Sequence, residues 1–420
     1  MNLGNKIIYQ IYPKSFQDTN GDGIGDLQGV IRHLDYIKEL GADYLWLTPF
    51  LLSPQYDNGY DVADYRAIDP RYGTMEDFDQ LVEEAGKRGM YLMMDMVFNH
   101  CSTEHEWFQK ALAGDPYYRD FFIIRKGKDG GLPPTNWVSK FGGSAWGYLP
   151  GTDEYYLHLF HVSQADLNWE NPCVRQACCD IVRFWMDKGV KGFRFDVINL
   201  ISKPDVYEDD LTGDGHRFYT DGPRIHQFLH ELNRGSFGRD PEVITVGEMA
   251  SSDLENSIRY TNPQSEELSM IFDFHHLKVD YPSGNKWEIQ PFRFHDLKNN
   301  LFSWQQEMER GGGWQSLFWY NHDQPRIVSR IGDDGKYRVE SAKMLATALH
   351  GLRGTPCIYQ GEEIGMTNAG FHDISQYRDI ETLNVYNEMK LKGKTDEEIY
   401  RSLGRKSRDN ARTPMQWDNT

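Results

Sequence analysis

Eight short apolar runs punctuate this 420-residue chain: "KIIYQIYP", "DYLWLTP", "YLMMDMVFNH", "KGFRFDVINL", "VITVGEM", "LSMIFDFHH", "SLFWYNHD" and "TPCIYQGEE". Each leads into polar, Gly- or Asp-rich residues and then a helix-like pattern. Near-continuous apolar segments are how parallel strands buried on both faces read. The stretches between them, such as "LQGVIRHLDYIKELG" and "TMEDFDQLVEEAGKRG", are amphipathic and end at Gly, as helix C-termini often do. Eight strand–helix repeats predict an α/β chain folded as a (β/α)8 TIM barrel. An open doubly wound sheet is the alternative, but no Gly-rich phosphate fingerprint follows any run.

The rhythm breaks once. From Cys101 to about Asn171 no strand–helix repeat is visible, and "NWVSKFGGSAWGYLPGTDEYYLHLF" is rich in Gly, Trp and Tyr. The expectation is a barrel from residues 1–100 and 172–420, with a subdomain of residues 101–171 inserted after the third strand and forming one wall of a pocket. Aromatics are 14% of the chain, which suits a flat, polar-edged ligand as well as a large core.

Charge and cysteines narrow the function classes. A net charge of −18 offers no basic stripe for nucleic acid. No 18-residue apolar run and no N-terminal apolar h-region occur, so neither membrane span nor signal peptide is expected. Five cysteines, an odd number without metal-ligand spacing, read as free thiols in a reducing, cytoplasmic compartment.

Six runs finish in acidic, amide or histidine residues: Asp95/Asn99/His100, Asp196, Glu248, Asp273/His275, His322/Asp323 and Glu362/Glu363. In a barrel these ends meet at the face where chemistry is done. Carboxylates such as Asp196, Glu248 and Asp323 suit glycoside hydrolysis, which needs two carboxyl groups flanking the scissile bond. Arg194, two residues before Asp196 on a strand, points the same way and favours its ionised, nucleophilic form. A protonated Glu248, raised by burial and negative neighbours, would be the acid.

"DMVFNH", "GFRFDV", "VGEM" and "NHDQPR" resemble, in order and spacing, the four signature regions of the α-amylase superfamily of glycoside hydrolases. "YQIYPKSFQDTNGDGIGDLQGV", "WLTPFLLSPQYDNGYDV", "HLFHVSQADLNWENP" and "SRDNARTPMQWD" resemble its branch of oligo-1,6-glucosidases and trehalose-6-phosphate hydrolases. The resemblance implies Asp196 as nucleophile, Glu248 as general acid/base and Asp323 as the carboxylate gripping sugar hydroxyls. It implies that His100 and His322 bond hydroxyls, that Asp57 and Arg412 clamp the terminal glucose, and that Tyr60 stacks on it beside Phe160 and Gln164. The expected enzyme is a retaining, exo-acting α-glucosidase without organic cofactor. The chain stops after "RTPMQW", so the eighth helix and C-terminal β-sandwich of the family are expected to be missing.

"DTNGDGIGD" sets Asp18, Asn20, Asp22 and Asp26 at positions one, three, five and nine of an EF-hand-like loop, with the Ile24 carbonyl at seven. Position twelve is Gly29, so the bidentate Glu is missing. One structural calcium, held partly by water, is the expectation; a metal-free turn is the alternative.

"GDGHRFYTDGPRIHQFLHELN" and "FHHLKVDYPSGNKW" resemble the trehalose-6-phosphate hydrolases within the branch. In so acidic a chain, His275, His276, Lys278 and Lys286 are expected to receive the substrate's phosphate, with Arg224 and His216 next in line. Trehalose 6-phosphate would yield glucose and glucose 6-phosphate. The alternatives are an oligo-1,6-glucosidase acting on isomaltose-like ends and, from another class, a non-catalytic sugar-binding relative.

Overall fold

The computed structural model describes residues 2–249, 251–281 and 284–418. Each apolar run contributes one strand: β1 Ile8–Ile11, β2 Tyr44–Leu47, β3 Tyr91–Val97, β4 Gly192–Asp196, β5 Ile244–Glu248, β6 Met270–Phe272, β7 Ser316–Leu317 and β8 Thr355–Tyr359. They hydrogen-bond into one sheet in the order β6-β5-β4-β3-β2-β1-β8-β7. β1 pairs in parallel with both β2 (Ile8 with Tyr44) and β8 (Ile8 with Cys357). A doubly wound sheet needs a point where strand order reverses. Here the order steps by one throughout and joins β8 to β1, which is the (β/α)8 arrangement.

The chain packs as two compact units. One comprises Met1–Thr48, Arg71–Met93 and Phe272–Thr420; the other comprises Pro49–Pro70 and Met94–Ile271. Part of the first unit's core is Tyr12, Leu317, Trp319, Tyr320, Leu345 and Tyr359. Its helix Met75–Lys87 shows how the local sequence sets an element. Thr74 and Asp77 form a capping box at its start, and Phe78, Leu81 and Ala85 bury one stripe. Gly89, at φ +67°, follows the end. After β8 come two further helices, Ile380–Leu391 and Asp396–Lys406.

In the second unit β4 and β5 are buried along their whole length. Between β3 and β4, His100–Ser102 pairs antiparallel with Gln164–Asp166. A small antiparallel sheet joins Ile124–Lys126, Glu154–Leu157 and Trp146–Tyr148. The aromatics of this segment, expected as a pocket wall, largely build its own core: Trp137 and Trp146 are buried against Tyr207 and Tyr219. The Trp137 ring stacks on Phe218 at 5.7 Å. Because residues beyond β4 complete this core, the insertion does not close on itself at Asn171. Among the described residues no helix is long and apolar enough to cross a membrane.

Candidate active site

At the ends of β3, β4 and β5, one guanidinium gathers three carboxylates. Arg194, its side chain 1% exposed, donates from Nη1 to Asp95 Oδ1 and to Asp196 Oδ1, both at 2.7 Å. Its Nη2 donates to Glu248 Oε2 at 2.5 Å. Strand alternation places Arg194 and Asp196 on one face, as the sequence spacing requires. Burial pushes Asp196 well above the usual carboxylate range; Arg194 opposes the shift, while Glu248 and Asp95 add to it. Three buried carboxyl groups around one cation favour keeping a proton among them.

Val197, directly after the nucleophile candidate, adopts φ +35°. That left-handed conformation is costly for a β-branched side chain. It turns the Val197 N–H onto Glu248 Oε2 at 3.2 Å, so backbone strain sits where a carboxylate must be held.

The remaining candidates of this unit form a connected network. Tyr60 donates its hydroxyl to Asp95 Oδ2 at 3.1 Å, and its ring lies 5.8 Å from the Arg194 guanidinium carbon. Gln164 Nε2 donates to Asp57 Oδ2 at 3.0 Å. His100 Nδ1 accepts from Asn99, and Nε2 donates to the Tyr60 carbonyl at 3.2 Å. Burial pushes His100 down to about 4, so it is a neutral hydrogen-bonding group at neutral pH. Phe160 packs its ring 5.2 Å from His100. Behind them Lys203, buried, bonds Asn99 Oδ1 and Asp166 Oδ2, both at 2.8 Å. Sequence reasoning missed this lysine; its only signal was "ISKPD" shortly after the nucleophile run.

A second cluster lies in the first unit. Asp323 Oδ1 accepts from Arg412 Nη2 at 2.7 Å and Arg408 Nη1 at 2.9 Å, and Oδ2 lies 3.1 Å from His322 Nε2. Gln10 Nε2 contacts His322 Nδ1 at 2.8 Å. Burial would raise Asp323, but His322, Arg408 and Arg412 together hold it well below the usual carboxylate range. The same arginines bind buried Asp379, at about 2. Arg408 and Asp379 were not foreseen. Arg408 stands four residues before Arg412 in the "SRDNAR" turn, the one spacing that could have flagged it.

The basic stretch after β6 divides. His276 is buried with its ring 5.0 Å from Phe318, and burial pushes it down to about 4. A neutral, enclosed imidazole does not attract a phosphate, which removes His276 from the expected set. His275 packs its ring, tilted, 4.6 Å from Trp304 and lies 3.6 Å from Asp273. Lys278 is exposed at the start of a 3-10 turn. Lys286 pairs with Glu381 at 2.7 Å, so an anion reaching it competes with a carboxylate. Of the reserves, Arg224 pairs with Glu170 and Asp205, and His216 with Asp214.

In the Asp18 loop, Asp18 Oδ1 accepts from Gly21 N at 2.7 Å, Asp18 Oδ2 from Gly23 N at 2.8 Å, and Asp22 Oδ1 from Ile24 N at 2.8 Å. Asp26 does other work: Oδ1 caps the helix Leu27–Arg32 through Gly29 N at 2.7 Å, and Oδ2 holds Thr19. Its Oδ1 keeps a lone pair, so these bonds do not bar it from the expected ligand set. Among the described residues no three His, Cys, Asp or Glu side chains converge as a metal site. The loop's oxygens are the Asp18, Asp22 and Asp26 carboxylates, the Asn20 amide and the Ile24 carbonyl, a hard set that calcium accepts with water.

The alpha amylase catalytic domain family matches residues 10–420. The chain therefore belongs to the alpha-amylase family of glycoside hydrolases. Within it the chain is similar to the trehalose-6-phosphate hydrolase of Bacillus subtilis (strain 168), 59% identical over 415 residues that cover 99% of this chain and 74% of that protein. It is 53% identical to the oligo-1,6-glucosidase of Parageobacillus thermoglucosidasius, over 99% of this chain and 75% of the relative. The crystal structure of Bacillus licheniformis trehalose-6-phosphate hydrolase superposes with a TM-score of 0.95 at 58% identity, covering 100% of this chain and 76% of that one.

Proposed function

We propose that the chain is a retaining, exo-acting α-glucosidase that hydrolyses trehalose 6-phosphate to glucose and glucose 6-phosphate. The chemistry rests on the Arg194 cluster. In the form of the cluster whose shared proton sits on Glu248, ionised Asp196 attacks the anomeric carbon while Glu248 gives that proton to the leaving oxygen; Glu248 then takes a proton from the water that releases glucose. Arg194 holds both carboxyl groups on one fork and disperses the charge that remains. By resemblance to the family's motifs, Asp323 grips sugar hydroxyls, as do His100 and His322; on the ground of charge, Lys278 and Lys286 receive the phosphate with His275 assisting. The observation that carries the substrate is the higher identity to trehalose-6-phosphate hydrolase, 59% against 53% for the oligo-1,6-glucosidase. Asp18, Asn20, Asp22, Asp26 and the Ile24 carbonyl would hold one structural calcium, and five free cysteines fit a reducing cytoplasm.

Turnover of trehalose 6-phosphate, trehalose and isomaltose tests the reading. Strong preference for the phosphorylated sugar is expected. Equal rates on trehalose with and without phosphate would overturn it, and preference for isomaltose would favour the oligo-1,6-glucosidase reading.

A further inference from the structure

A cavity of about 450 Å³ in the first unit is walled by the Ile289–Phe292 stretch, Asp280, Arg330 and the C-terminal half of the helix Asp396–Lys406. That volume is in the range of small-molecule sites. Its lining is charged in one sense: Arg330, Arg401, Arg405 and Lys406 against the single carboxylate of Asp280. Asp280 is already shared. It takes Arg330 bidentately, at 2.7 Å and 2.9 Å, and Lys406 at 3.0 Å. Both of those cations are buried, so one carboxylate answers two of them. Arg401 and Arg405 are exposed, and neither makes an ion pair among the described residues. They stand four residues apart, on one helix face, where like charges repel.

The helix dipole favours basic residues in a last turn, which accounts for Arg405 and Lys406. It does not account for Arg401 a turn earlier or for Arg330 on another element. The walls are fixed rather than loose: Ser402 Oγ donates to the Trp287 carbonyl at 2.5 Å, and Gln290 Nε2 to the Val279 carbonyl at 3.1 Å. Ile289, Pro291 and Phe292 supply an apolar side for the carbon skeleton of a ligand.

We propose that this cavity binds a phosphate dianion, free or carried by a small sugar. Two open guanidinium forks suit the oxygens of a phosphate, and the buried Arg330–Asp280–Lys406 triad sets the positive background. The inference uses residues of the first unit only and does not depend on the substrate proposed above.

The test is calorimetric titration of the full chain with glucose 6-phosphate, inorganic phosphate and glucose, repeated on the double variant Arg401→Gln/Arg405→Gln. Glucose 6-phosphate or phosphate should bind the parent protein and lose at least about tenfold in affinity in the variant. Glucose should be unaffected, as should hydrolysis of a chromogenic α-glucoside. Equal affinity for the two phosphate ligands would identify the free ion as the source; tighter binding of glucose 6-phosphate would identify the sugar phosphate. Unchanged affinities in the double variant would overturn the proposal, as would absence of phosphate binding to the parent.

Discussion

Replacing Arg194 by Gln removes the single cation that Asp95, Asp196 and Glu248 share. Stripping the partner from a buried ion pair costs about 3–5 kcal/mol. The sign follows from linkage. Arg194 lowers the folded-state value of Asp196, so its loss raises that carboxyl further above the unfolded value near about 4. The folded variant then binds more protons than the unfolded chain, and its stability falls as pH rises through that window. The deficit should therefore be small at about pH 4 and full near about pH 7. Thermal midpoints of parent and variant across this range measure it, with the gap widening toward neutral pH. Turnover should fall about a hundredfold or more, the usual scale for losing one electrostatic stabiliser in a buried site. A gap independent of pH, or parental turnover, would refute the account of Arg194 as the counter-charge of the cluster.

Glu248→Gln should abolish hydrolysis while moving the thermal midpoint by only a few degrees, because the amide still accepts from Arg194 and Val197; wild-type turnover would exclude Glu248 as the acid. Added calcium should raise the thermal midpoint and a chelator lower it, with both effects lost in Asp18→Ala; identical melts would remove the ion. His100 and His276 are each pushed down to about 4 by burial, so the folded state binds fewer protons than the unfolded between about 6.5 and 4. Stability should fall with pH through that window, by up to about 3 kcal/mol per histidine, and His276→Asn should flatten the fall in thermal midpoint measured from pH 7 to 4.5.

The strands were legible because parallel strands buried on both faces leave apolar runs that no amphipathic helix imitates. All eight runs became neighbours in one sheet, and Asp196 and Glu248 were legible as the polar residues closing two of them. Contacts made across long sequence separations were not. Asp95 reaches Arg194 across 99 positions and Lys286 reaches Glu381 across 95, and no local pattern encodes either pairing. His276 was misread for a different reason. "FHHLK" lies in a turn after β6, where neither a period of two nor one of 3.6 says which side chain faces inward. Phe318 and Trp319 enclose it, and an imidazole that looked basic in sequence is neutral in place.

The two carboxylate clusters handle charge in opposite ways, and the difference is what a retaining glycosidase needs. Around Arg194 burial pushes Asp196 up, Glu248 and Asp95 add to the shift against the opposing guanidinium, and a proton is retained in the cluster. Proton transfer is possible only where such a shared proton exists. Around Asp323 and Asp379 two arginines meet two aspartates, and both carboxyl groups are held low. A carboxylate that stays ionised across the working range only accepts hydrogen bonds, which is the role of a group that grips sugar hydroxyls. Environments that drive like groups apart in pKa assign their roles. That contrast supports the proposed acid/base role of the Arg194 cluster and the proposed binding role of Asp323, whichever α-glucoside the chain prefers.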